Sequence, residues 1–269
     1  MTQKKKDEWS RRIERAMDLA GRHPGTAEVL LFYGQILGFQ KAAYEGIDAR
    51  PAPVLENNSA FREQLDSAAA MRQLPALLGL VQKSGPPKLA QQAAAIGQSP
   101  AEKHRQMLYD FLFTPPRESI ECASFLARVL FQPQAERLAA ASTAPLVGFA
   151  GSICPICESK PQVAVLRPEG DGGKRFLVCS LCLTEWEFRR ILCPICSEED
   201  QAKLPRYTAE DVAAVRVEAC DSCGHYLKGI DMTIDGLAVP LVDEVATVPL
   251  DLWAEERGYK KISLNLMGF

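Results

Sequence analysis

Cysteine pairs are the feature of this sequence with the clearest chemistry. Eight of the nine cysteines form four C-x-x-C pairs within 70 residues: Cys154 and Cys157, Cys179 and Cys182, Cys193 and Cys196, Cys220 and Cys223. A C-x-x-C turn directs two thiolates at one ion, and two such turns complete a tetrahedral four-sulfur site. The spacing therefore predicts two sites, each holding one metal ion.

The gaps between the pairs indicate which pairs share an ion. Successive pairs are separated by 21, 10 and 23 residues. Each of the two longer gaps fits one β-hairpin, slightly beyond the usual zinc-ribbon spacing. We therefore expect the first pair to join the second and the third to join the fourth, with a short strand over 183–192 connecting the two sites.

Other proteins also use C-x-x-C pairs. A thioredoxin-like dithiol needs a following helix, whereas ESKPQV and SEEDQA follow the two CPIC motifs. Disulfides need an oxidising compartment, and the C-x-x-C-x-x-C run of ferredoxins is missing. Two mononuclear sites are the favoured interpretation. Iron and zinc both accept four thiolates, so the spacing leaves the metal open.

The remaining candidates for chemistry are weaker. Cys122 stands alone on an apolar helical segment, which predicts a buried free thiol. His225 follows the fourth pair and is expected to be an exposed hairpin residue. The sequence carries none of the motifs G-x-x-x-x-G-K-[ST], G-x-G-x-x-G, G-x-S-x-G and H-E-x-x-H, which mark common nucleotide-binding and catalytic sites. No catalytic constellation is predicted.

Composition places the chain among soluble globular proteins of one or two domains. It has 269 residues, of which 47% are hydrophobic and 24% charged. Residues 1–150 carry 18 Lys and Arg against 15 Asp and Glu, and residues 151–269 carry 13 against 19. Phosphate contacts need clustered cations, so nucleic acid is not an expected partner. Neither a secretory signal nor an 18-residue apolar run is present, which predicts a cytoplasmic protein without membrane insertion.

Hydrophobic periodicity predicts helices in the first half of the chain and strands in the second. Five or six amphipathic segments precede an Ala-, Ser- and Pro-rich stretch at 139–152, which we interpret as a linker. Strand patterns follow at 161–167, 174–179, 184–193, 213–220 and 226–234. Few of these strands are long enough to form a hydrophobic core by themselves, so bound ions are expected to stabilise them.

The expected fold class is α+β. It consists of an N-terminal all-α helical bundle followed by two tandem zinc-ribbon-like four-cysteine metal modules built on short β-hairpins. The predicted domains are a helical domain at 1–145 and a metal-binding domain at 146–269, with modules at about 150–190 and 191–269.

The order of these features resembles the formate dehydrogenase accessory protein family, or FdhE family. The matching pieces are the four pairs in this order, the sequence Thr184-Glu185-Trp186 after the second pair, and C-D-S-C-G-x-Y-L-K around the fourth. The resemblance covers roughly the last 115 residues with high specificity. It extends more weakly upstream through RIERAMDLAGRHPGTAEVLLFYGQILGFQKAAY.

This resemblance implies a non-enzymatic cytoplasmic maturation factor. Family members bind the molybdenum-containing catalytic subunit of a respiratory formate dehydrogenase and are needed for assembly of active enzyme. Their C-x-x-C sites are described as rubredoxin-like and as holding iron, so the eight paired cysteines would be metal ligands, with a redox role of the metal open. The alternatives are a zinc-ribbon module that binds nucleic acid or protein, and a C-x-x-C thiol or iron redox protein. The sequence assigns no oligomeric state.

Overall fold

Six helices make up the first half of the chain in the computed structural model, which describes residues 3–47, 61–114, 121–142, 146, 148–170 and 172–269. Their bounds are α1 Gln3–Arg22, α2 Ala27–Glu45, α3 Ser67–Ser84, α4 Pro87–Gly97, α5 Ala101–Phe113 and α6 Cys122–Ala141. The helical bundle predicted from periodicity is confirmed.

Helix α6 is the centre of this bundle. It packs against α2, α3, α4 and α5, and 13 of its 20 residues are buried. A helix that is buried on most sides needs apolar residues nearly all round, which the segment FLARVLF supplies. The polar exceptions on α6, Arg128, Gln132 and Glu136, are buried as well.

Seven strands of the described chain form one sheet. They are β1 Pro161–Glu169, β2 Gly172–Cys179, β3 Glu185–Glu187, β4 Arg206–Thr208, β5 Val215–Cys220, β6 His225–Asp231 and β7 Lys260–Lys261. Their order is β3-β2-β1-β6-β5-β4, and β7 pairs with β6. The predicted strand at 184–193 is wrong in extent, because only Glu185–Glu187 pairs, with β2.

Parallel pairing of β1 with β6 joins the two predicted hairpins into this single sheet. The register places Ala164 opposite Gly229 and Leu166 opposite Asp231. Hydrogen bonds therefore run continuously from the β1–β2 hairpin, which lies between the first two cysteine pairs, to the β5–β6 hairpin, which contains the fourth pair. The modules are consecutive along the chain, but their strands share one sheet.

The two faces of the sheet pack against different partners. On one face, Ala164, Leu177 and Leu227 join a hydrophobic core that also contains residues of the helical half. On the other face, valines of β1 and β5 pack against two further helices, α7 Pro240–Ala246 and α8 Val248–Glu256. The sequence analysis predicted no element for the residues of these two helices. The proposed domain boundary at 145/146 stays a prediction.

Four charged side chains form an ionic cluster between the sheet and helices α7 and α8. Lys228 of β6 and Lys261 of β7 both contact Glu244 and Asp251, and all four side chains are at most 1% exposed. The Lys228 Nζ–Glu244 Oε1 distance is 3.1 Å, and the Lys261 Nζ–Asp251 Oδ1 distance is 2.9 Å. Although burial opposes it, the two lysines hold the pKa of Glu244 below its usual value.

We expect Lys228→Met to lower the free energy of unfolding by about 3–5 kcal/mol, because it leaves the two buried carboxylates of Glu244 and Asp251 with one lysine, Lys261, as their counter-charge. Urea denaturation of the purified protein measures this loss. The matched control is Lys174→Met, since Lys174 is half-buried and pairs with Glu187 at the edge of the same sheet. This variant should leave the midpoint unchanged. A decrease in the free energy of unfolding below about 1 kcal/mol, the usual contribution of a surface ion pair, would show that the ionic cluster is hydrated.

Candidate metal centres

All four C-x-x-C segments adopt the same turn. The residue after the second cysteine has a left-handed backbone in each case, with φ of 59° at Glu158, 59° at Leu183, 60° at Ser197 and 68° at Gly224. The first three are the non-glycine residues with positive φ in the described part of the chain. Such a conformation is costly for a residue with a side chain. The fold therefore accepts local strain to shape these turns.

Backbone hydrogen bonds close the turns around the sulfur atoms. The N–H groups of Cys154, Cys179 and Cys193 each donate at 2.9 Å to the carbonyl five residues later, on Ser159, Thr184 and Glu198. Other backbone N–H groups point at the first sulfur of their own turn at 3.3–3.4 Å: those of Ile156, Leu181 and Ile195. Donors aimed at sulfur favour the thiolate form, which is the form that binds metals.

The first cluster consists of Cys154, Cys157, Cys179 and Cys182, which are all buried. The Sγ atoms of Cys154 and Cys182 are 3.5 Å apart, and those of Cys157 and Cys179 are 3.2 Å apart. The Cys182 sulfur also lies 3.1 Å from the hydroxyl of Thr184. The structure therefore brings together the two pairs that the gap lengths predicted.

The second cluster consists of Cys193, Cys196, Cys220 and Cys223. Its sulfur–sulfur distances are 3.7 Å between Cys193 and Cys223 and 3.6 Å between Cys196 and Cys220. Four sulfurs around one ion at about 2.3 Å lie about 3.8 Å apart. Both clusters, each with its sulfurs within 4.8 Å of one another, thus fit a tetrahedral metal ion in donor type and spacing.

The two clusters differ in their exposure to solvent. In the second cluster Cys196 is exposed and Cys223 is half-buried. The first cluster has no exposed member. Identical ligand sets therefore lie in unlike surroundings.

A buried arginine of the helical half contacts the first cluster. The guanidinium of Arg128 on α6 donates to the carbonyls of Ser180 at 2.8 Å and Leu264 at 2.7 Å. Ser180 lies between the cysteines of the second turn. Burial lowers the pKa of Arg128 to about 10, so the side chain is still a cation at neutral pH. On the other side, Arg62 donates to the hydroxyl of Ser159 at 3.1 Å.

Sequence reasoning missed both arginines. A signal for Arg128 was present, because it is the single charged residue within the apolar run FLARVLF, and a buried charge requires a partner. Arg62 gave no comparable signal, since it lies in a short polar segment before α3.

The other residues singled out in the sequence lie outside both sulfur clusters. Cys122 is a buried free thiol, as predicted, and burial raises its pKa to about 11. His225 is half-buried at the start of β6 rather than exposed, and its Nδ1 lies 2.9 Å from the carbonyl of Cys223. The indole N–H of buried Trp186 donates to Gly151 at 3.0 Å.

None of the helices in the described residues has both the length and the apolar composition that crossing a bilayer requires.

Comparison with known proteins relates the sulfur-rich half to one family. The family model "FdhE, central domain" matches residues 153–190, and "FdhE, C-terminal domain" matches residues 191–267. A similar curated protein is the "Protein FdhE homolog" of Aquifex aeolicus, 40% identical over 43% of this chain and 41% of that protein. The match thus spans about two fifths of that relative's length.

Two further matches extend over nearly the whole chain. The "Protein FdhE homolog" of Haemophilus influenzae strain Rd is 26% identical over 97% of this chain and 88% of its own length. "The crystal structure of the FdhE protein from Pseudomonas aeruginosa" shares the fold, with a TM-score of 0.74 and 24% identity over 98% of this chain and 96% of that one. Both matched domains, each containing one four-cysteine cluster, occur here in sequence order, so residues 153–267 of this chain carry the two FdhE family domains.

Proposed function

We propose that this chain is a cytoplasmic accessory protein that holds two metal ions and binds the catalytic subunit of a formate dehydrogenase during assembly of the active enzyme. One observation carries the proposal. Each FdhE family domain contains one complete four-cysteine cluster, the central domain the first and the C-terminal domain the second.

The donor set supports an accessory role rather than catalysis of a reaction. The ligands are the eight paired cysteines, four to each ion. Four thiolates fill a tetrahedral site, whereas catalytic zinc sites keep a position open for water or substrate. A bound zinc ion would supply a fixed crosslink, and iron would supply a one-electron centre. The backbone turns around both clusters hold the sulfurs in position.

The difference in exposure assigns unequal roles to the clusters. The first cluster lies beside Arg128, so its ion would fasten the sheet to the helical half. The exposure of Cys196 supports access of a partner protein or a chelator to the second cluster.

We expect the purified chain to contain two metal ions, and a chelator to remove them in two phases with the second cluster emptied first. Cys193→Ser combined with Cys196→Ser should leave one ion per chain and only the slow phase. Metal analysis by mass spectrometry and release kinetics in the presence of a chromogenic chelator provide the measurements.

Cys122→Ser is the matched control, because Cys122 is the ninth cysteine and lies outside both clusters. It should retain two ions and both phases. Release in a single phase from the intact protein would contradict the proposed difference between the clusters. A protein purified without oxygen that holds no metal would overturn the ligand assignment.

Anaerobic affinity capture from the protein's own cells tests the partner. We expect the tagged chain to recover the catalytic subunit of a formate dehydrogenase well above the level of an untagged control. The variant that lacks the second cluster should recover less, since it alters the exposed site while keeping the first. Recovery of nucleic acid or of unrelated proteins alone would show that the chain is a generic zinc-ribbon binding module.

Zinc substitution separates a redox role from a scaffold role. Protein with zinc in both clusters and an intact fold should fail to support maturation of formate dehydrogenase if the metal transfers electrons. Unimpaired maturation with zinc would exclude the redox role and leave a scaffold.

A further inference from the structure

An open cleft lies on the sheet beside the second cluster. Its walls include the cysteines Cys193 and Cys220 and three arginines, Arg175, Arg190 and Arg206. Leu192, Leu204, Leu227 and Ile262 supply apolar lining. The cleft therefore combines a positive charge with a partly apolar wall.

A network of ion pairs adjoins this cleft, and two of its members, Arg175 and Glu218, line it. Glu218 of β5 accepts from Arg175 of β2 at 2.8 Å and from Arg216 at 2.9 Å, and Arg216 also contacts Asp231 at 3.1 Å. Although burial opposes it, Arg175 and Arg216 hold the pKa of Glu218 below its usual value. These two arginines are thus neutralised by two carboxylates.

Gly229 lets this network extend across the sheet. A Cβ at this position would lie 2.6 Å from the Glu218 carboxylate and 3.3 Å from Arg216 Nε. A side chain at position 229 would collide with the carboxylate of Glu218, so the glycine leaves the space above β6 free for the ion pairs.

Arg190 and Arg206 are left without a carboxylate. Among the described residues no acidic oxygen lies within 4.0 Å of either guanidinium, and each donates to a backbone carbonyl instead, Arg190 to Gly173 at 3.4 Å and Arg206 to Arg190 at 2.9 Å. Burial and repulsion by the nearby arginines together outweigh the attraction of Glu218 and lower the pKa of Arg206. A guanidinium has five N–H donors, and most of those on the two side chains remain available.

We propose that this cleft is a carboxylate-binding site, in which Arg190 and Arg206 hold the group by charge-assisted hydrogen bonds. The carboxylate comes from a small free acid or from an acidic side chain of a protein partner. The forked donors of arginine match the two oxygens of such a group.

Size and charge favour a carboxylate over a larger or more highly charged anion. The cleft has an internal volume of about 30 Å³, and one water needs roughly 10–15 Å³ on the same measure. This accommodates a group of about three heavy atoms, as in a carboxylate. The neighbouring thiolates of the second cluster disfavour a dianion, and the leucine and isoleucine walls suit a short carbon stem.

Arginine side-chain NMR on the zinc-loaded full chain tests the site with acetate as the probe. We expect the Nε–H resonances of Arg190 and Arg206 to shift saturably with acetate and to stay in place with chloride at the same ionic strength. Arg206→Ala and Arg190→Ala should each weaken acetate binding at least about ten-fold, the effect of losing a charged hydrogen bond.

Arg189→Ala is the matched control, because the adjacent Arg189 is exposed and already paired with Glu199 at 2.7 Å. It should bind acetate as the unaltered chain does. Capped Ala-Glu-Ala and Ala-Gln-Ala peptides separate the two sources. Tighter binding of the glutamate peptide than of acetate assigns the site to a partner's side chain, and equal or weaker binding assigns it to a free acid.

Two results would overturn the proposal. Shifts that do not saturate, or that persist in both alanine variants, would mean that the arginines only balance the charge of the thiolates. Inorganic phosphate binding more tightly than acetate would show that the site is built for a different anion. Neither result bears on the accessory role, since capture of a formate dehydrogenase is measured independently.

Discussion

Four sulfur atoms gathered in a small volume are the constraint on which the rest of this structure depends. In the first cluster burial raises the pKa of the Cys179 and Cys182 thiols, because thiolate charge is costly away from water. A cation among the four sulfurs would remove that cost. It would also fasten β3, which follows Cys182, has three residues and is too short to hold a sheet alone.

The helical half and the sheet meet around this constraint. The carbonyl of Ser180, inside a cysteine turn, accepts from Arg128, and the same α6 helix is the centre of the bundle. At the other end, Arg15 of α1 donates to Asp243 of α7 at 3.0 Å. Because residues of both halves share one hydrophobic core, displacing the first cluster would disturb helix packing as well as the sheet.

The sequence predicted the features whose signals are local. C-x-x-C spacing and gap length identified both sulfur clusters, and periodicity identified the helices. Parallel pairing of β1 with β6 joins segments about 65 residues apart, which no local pattern encodes. The sequence did not reveal helices α7 and α8, because Pro240 and Pro249 interrupt the apolar pattern. Each proline stands in the first turn of its helix, where proline is favoured. Asp251 and Glu244 carry no sequence signal of burial, because their partners Lys228 and Lys261 are distant along the chain or across the fold.

Unequal environments around equal ligand sets are the feature most relevant to function. Both turns of the first cluster and the first turn of the second share the same backbone hydrogen bond, and a residue with a left-handed backbone follows each of the four turns. What differs is the surrounding chain: buried Arg128 and the bundle at the first cluster, and solvent with an arginine-lined cleft at the second. A scaffold that needed only stability would gain from burying both clusters. The exposure of Cys196 is therefore the observation that supports the proposed role of the second cluster toward a partner.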